Sequence, residues 1–103
     1  MILAQVLGTV VSTRKDAGLL GLKLLLVREV DGEFKPTGNF VVAADAVGAG
    51  RDELVLVAAG SSARMTEVSR EKPVDAVIVG IVDAVEVGGR DVYLKRAAVG
   101  GSP

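Results

Sequence analysis

The chain has 103 residues, with 12 basic and 13 acidic side chains for a net charge of −1, and neither cysteine nor histidine. That length suits one domain with a modest core, and the balanced charge leaves no overall field to attract nucleic acid or anionic lipid. Lack of cysteine excludes disulfides and thiolate metal sites and fits a reducing cytoplasm; lack of histidine excludes a serine–histidine triad and the usual general base near neutral pH.

Half of the residues are hydrophobic and the mean hydropathy is +0.45, high for a soluble monomer of this size. A membrane-spanning helix would need about 20 consecutive apolar residues, and Lys23, Asp45, Asp75 and Asp83 interrupt every candidate. The opening MILAQVLGTVV lacks the basic region and cleavage site of a signal peptide and reads as a buried strand. The surplus apolar surface is expected to be buried between subunits, as in an obligate oligomer.

Along the chain the apolar pattern has period two. In residues 2–13 one face carries Ile2, Ala4, Val6, Gly8, Val10 and Ser12 and is expected to meet a core. The other carries Leu3, Gln5, Leu7, Thr9, Val11 and Thr13 and is mixed. After the turn KDAG (15–18) come LKLLLVREV (22–30), DGE (31–33), PTGN (36–39), NFVVAAD (39–45), GAG (48–50) and ELVLVAAG (53–60). A short helix is expected from Ser61 or Ser62 through SARMTEV, with a serine capping its first turn. AVIVGIVDAVE (76–86) reads as one strand, GG (88–89) as a turn and RDVYLKR (90–96) as the last strand. Six short strands at this spacing predict an all-β domain over residues 1–96, a small OB-like barrel of five or six strands. Residues 97–103 carry no pattern and are expected to be a flexible tail. LVLV (54–57) and AVIVGIV (76–82) are apolar on both faces, yet the connections are too short for crossover helices. A neighbouring copy of the chain is the expected cover.

Two stretches invite a chemical reading, and neither sustains it. GAG at 48–50 would need a third glycine at Glu53 and a following helix to bind a dinucleotide, and a strand follows instead. The expected role is a tight turn with glycines at positive φ. GSSAR at 60–64 has Arg64 where a nucleophile elbow needs glycine, and a serine–lysine dyad through Lys23 or Lys72 has no support in the spacing. Asp45, Asp75 and Asp83 lie near strand ends or a proline, where aspartates cap turns. A nucleic-acid module would stack bases on aromatics along a basic groove, and Phe34, Phe40 and Tyr93 are the only aromatics available for it.

Four blocks in order carry a family resemblance: AQVLGTVVSTRKDAGLLGLKLLLV, with Thr13, Lys15 and Leu19 in its connecting turn, VAADAVGAGRDELVLVAAGSSAR, KPVDAVIVGIVDAVEV and GGRDVYLKR. Over residues 1–96 the chain resembles the pentameric vertex proteins of bacterial microcompartment shells, the carboxysome and ethanolamine-utilisation (EutN/CcmL-like) vertex family. The resemblance implies a structural protein with no catalytic activity, cofactor or metal. It implies a cyclic homopentamer that caps the vertices of an icosahedral shell in the cytoplasm. Its partners would be hexameric or trimeric shell proteins, with no nucleic acid and no membrane. In such a ring small residues suit the crowded axis. Gly60, Ser61 and Ser62, and after them Gly48, Ala49 and Gly50, are the expected lining of an axial pore. Arg64 is the expected inter-subunit ion-pair partner, with Asp45 or Asp83, and the loop TRKDAG (13–18) the expected outer rim.

Overall fold

A computed structural model describes residues 1–95; the expected tail lies outside the described residues. Strands β1 (Ile2–Val10), β2 (Leu24–Val30), β3 (Pro36–Asp45), β4 (Leu54–Ala59) and β5 (Ala76–Ile81) close into a barrel in the order β1-β2-β3-β5-β4. Strands β6 (Ala84–Val87) and β7 (Arg90–Leu94) form a separate two-stranded hairpin. All barrel neighbours are antiparallel except β3 and β5, which meet in a short parallel seam at Ala44↔Val77 and Asp45↔Ile78. Two 3-10 turns, Ala17–Leu19 and Gly60–Arg64, complete the regular structure among the described residues.

The all-β barrel and the period-two reading agree, with three local corrections. In β1, Ala4 and Val6 point into the core, but a bulge at Leu7 shifts the pairing from Val6↔Val27 to Gly8↔Leu26. A bulge adds one residue and resets the alternation, and the strand ends at Val10 rather than Thr13. The β2–β3 turn is narrower than PTGN suggested. Asp31 closes it by accepting from the Glu33 and Lys35 amides at 2.8 and 3.1 Å, so Pro36 can pair with Val30 as the first residue of β3. The run 76–86 divides at Val82 and Asp83. The Val82 amide donates to the Leu54 carbonyl at 2.9 Å as the last rung of the barrel, and the Asp83 carbonyl accepts from the Lys95 amide at 2.8 Å as the first rung of the hairpin.

The barrel interior is filled by Ala4, Val6, Leu25, Val27, Val55, Val57 and Ile78, with Ala43, Ala49 and Ala76 between them. Each fully buried valine or isoleucine contributes about 1.5–3 kcal/mol. The outer faces of the same strands are also apolar, and much of that surface is covered by the chain itself. The second 3-10 turn seats Ala63 over Ala44, Ala58 and Val77. The hairpin lays Val85 and Tyr93 over Val30, Leu54 and Val82, with Phe34 beside them. The expectation that a neighbour covers the second face is thus narrowed to what these two segments leave bare.

Candidate functional site

The GAG loop is held by carboxylates from both sides. Asp45, at the end of β3, accepts from the amides of Val47, Gly48 and Ala49 at 3.0–3.2 Å, so it caps its own turn as the spacing suggested. Gly48 has φ +77°, a backbone that favours glycine. Gly50 does not share that geometry; its amide donates to Glu53, whose second oxygen pairs with Lys95 from the end of β7. Lys95 first, and then the Gly50 amide against a partial burial penalty, hold the Glu53 carboxyl below its usual range; Glu53 in turn raises Lys95. Glu53, which spoiled the dinucleotide motif, is the clasp between this loop and the hairpin. Ala49 is 2% exposed and belongs to the barrel core.

The GSSAR stretch forms a single 3-10 turn, not the α-helix expected through residue 68. Gly60 starts it at φ +66°, with its amide donating to the Asp75 carbonyl at 2.9 Å. No side chain caps this turn, so neither serine serves as the expected N-cap. The turn stops early because Thr66 and Ser69 bond each other, hydroxyl to hydroxyl at 2.6 Å with both amides also engaged. Short polar side chains that satisfy local amides compete with helix in this way. Ser69 is fully buried, and sequence reasoning missed it. The T-x-x-S spacing was its one available signal.

Ser61 and Ser62 are exposed, and no lysine comes within hydrogen-bond distance of either among the described residues. Arg64 is exposed and donates to the Val74 carbonyl at 3.3 Å, with no ion pair to Asp45 or Asp83 within the described chain. The 13–18 loop is exposed and held by local bonds, and only its end at Gly18 packs against another segment. Asp16 accepts from the Gly18 amide at 2.7 Å, and a Cβ on Gly18 would stand 2.8 Å from the ring of Pro73.

Of the aromatics, Phe34 and Tyr93 stack on each other at 5.6 Å between centroids and serve to bind the hairpin to the β2–β3 turn. Phe34 holds φ +66° to do so, an uncommon backbone for a bulky residue. Only Phe40 stands out to solvent, 62% exposed beside Val42 at 47% on the outer face of β3. Val87, Val92 and Leu94 are bare on the hairpin. Among the described residues no base-stacking platform forms, whereas apolar surface stays open on β3 and on the hairpin, besides single exposed residues such as Val11, Leu20 and Met65.

A small two-faced barrel with such surfaces, and with no metal-binding cluster among the described residues, is matched by relatives over nearly its whole length. Residues 1–83 fit the family model described as ethanolamine utilisation protein EutN/carboxysome. The chain belongs to this family. It is 51% identical over 96 residues to the carboxysome shell vertex protein CcmL of Synechocystis sp., covering 93% of this chain and 96% of that protein. A solved carboxysome subunit CcmL superposes with a TM-score of 0.90 at 51% identity, over 93% of this chain and all of that one. The GrpN pentameric microcompartment shell protein from Rhodospirillum rubrum superposes with a TM-score of 0.76 at 47% identity, over 84% of this chain and 98% of that one.

Membership in the EutN/CcmL family makes this a structural shell vertex protein and not an enzyme. It also decides between the two binding readings: the shell function is supported over the nucleic-acid module. The pentameric relatives support a homopentamer for this chain.

Proposed function

We propose that five copies of the chain close into a ring that occupies the vertices of a microcompartment shell otherwise tiled by hexameric or trimeric units. Flat hexagonal tiling cannot close on itself, and five-fold units supply the missing curvature. The observation that carries this reading is the apolar surface left bare after the chain has covered what it can, Phe40 and Val42 on β3 and Val87, Val92 and Leu94 on the hairpin, in a chain whose relatives are vertex proteins. A cyclic ring joins two different patches of the same subunit, and these lie on different elements.

Within that ring Gly60, Ser61 and Ser62 line the axis, with Gly48 and Gly50 second. The exposed turn and its positive-φ glycine support that placement, since small residues tolerate five-fold crowding. Arg64 points to a neighbour, and Asp83 suits it better than Asp45, whose oxygens are taken by its own turn. The exposed 13–18 loop offers a rim for the adjoining shell unit. Co-expression with a hexameric shell protein tests the reading. Closed polyhedra are expected with the chain and open sheets or tubes without it; equal closure in both would contradict it.

A further inference from the structure

The closed barrel leaves two stretches of open edge among the described residues: β3 meets β5 only at Ala44 and Asp45, so residues 36–43 have β2 alone, and the end of β1 is bare as well. β1 pairs with β2 as far as Val10, but with β4 only from Ile2 to Gln5. Val6 closes against Glu53 and Asp52, and from Gly8 to Val10 the strand has β2 on one side and no strand on the other among the described residues. A cleft of about 490 Å³ opens along this bare edge. Val6, Leu7, Leu25 and Ala49 give it an apolar floor, Lys23 and Arg51 flank it, and no acidic residue lines it. Both cations are exposed, and neither side chain has a hydrogen-bond or ion-pair partner among the described residues.

The chain carries the complementary edge elsewhere. β6 pairs only with β7, so its far side is also open among the described residues. The segment 83–87, DAVEV, holds two acids and no base. In the hairpin register Glu86 lies opposite Asp91, both exposed and neither in an ion pair among the described residues. Like charges placed directly across a strand pair are unfavourable unless a cation relieves them.

We propose that the open edge of β1 in one subunit adds to the free edge of β6 in the next, with Lys23 and Arg51 meeting the next subunit's Glu86 and Asp91. This rests on the ring reading and adds a backbone and charge contact to its apolar joint. Because the two edges differ, each subunit offers one of each, and the contact runs one way round the ring. Strand addition satisfies backbone groups that an exposed edge leaves bare, and the charges set the register.

The test uses the intact chain and native mass spectrometry over a dilution series. Lys23→Glu with Arg51→Glu, and separately Glu86→Lys with Asp91→Lys, should each raise the concentration at which the ring dissociates by about tenfold or more. Combining all four substitutions should bring it back towards wild type. All four positions are exposed, so thermal melts should show folded subunits throughout. Amide exchange on the unaltered ring gives a second readout: those amides of residues 8–10 and 84–87 that face away from β2 and β7 should be protected in the ring and open on dilution. Undiminished assembly of both double variants, or no recovery in the combination, would overturn the joint. So would those amides at 8–10 left unprotected in the ring, the result expected if the cations merely guard a bare edge. A wild-type chain that never forms a ring would instead sink the vertex reading, and this joint with it.

Discussion

At the scale of single residues, Glu53 shows how a position can be read for the wrong reason and still matter. The sequence marks it only as a departure from a glycine motif, whereas its contacts join the 48–50 loop to the end of β7. No spacing rule could have found that pair, because residues 53 and 95 lie 42 positions apart and meet only once the hairpin folds back. The pair's pH dependence follows from its shifts. Glu53 is lowered, so its contribution is present above the ordinary carboxylate range and is lost as pH falls through its folded value. Lys95 is raised, so its contribution is lost only as pH climbs through and above the ordinary lysine range. Glu53→Gln should therefore lower the melting temperature by a constant amount between about pH 6 and pH 9 and by less as the solution is acidified below that window. A gap that widens in acid would contradict this. Ser62 sits at the proposed axis, where five copies of a large side chain would collide. Ser62→Trp should leave the subunit folded but reduce pentamer formation or block the opening; unchanged assembly with an unchanged opening would move the axis to another loop.

At the scale of elements, the strands were largely legible because each carries its own apolar alternation. Breaks within apolar runs were not. Nothing in AVIVGIVDAVE except Asp83 signals that Val82 ends the barrel and Ala84 starts a hairpin, since both pieces are apolar and the division depends on what each packs against. The helix expected after Gly60 failed for a related reason: the Thr66–Ser69 bonds satisfy the chain locally before a second helical turn forms. The hairpin's attachment gives a direct check. Val85 and Tyr93 on one side and Phe34 on the other hold it to the barrel. Tyr93→Ala should cost about 1–3 kcal/mol, combining lost burial with the aromatic pair. Amide exchange should quicken in residues 84–94 well before it does in β1 to β5. Uniform loosening of barrel and hairpin together would show that the hairpin is not a separable layer.

At the scale of the whole molecule, high hydropathy and strands apolar on both faces pointed to an oligomer, and the subunit explains only part of that surplus. The hairpin and the second 3-10 turn cover two areas of the outer barrel, a use of the chain's own segments that composition cannot reveal. What they leave, around Phe40 and Val42 and along the hairpin, is where a ring has surface to bury. The small residues at 48–50 and 60–62 shape loops within the subunit, and Ala49 is buried in its core. The central claim is assembly into a five-membered ring, and native mass spectrometry of the purified chain tests it most directly. A single dominant species with the mass of five 10.6 kDa chains is expected; a stable monomer or dimer at micromolar concentration would contradict it.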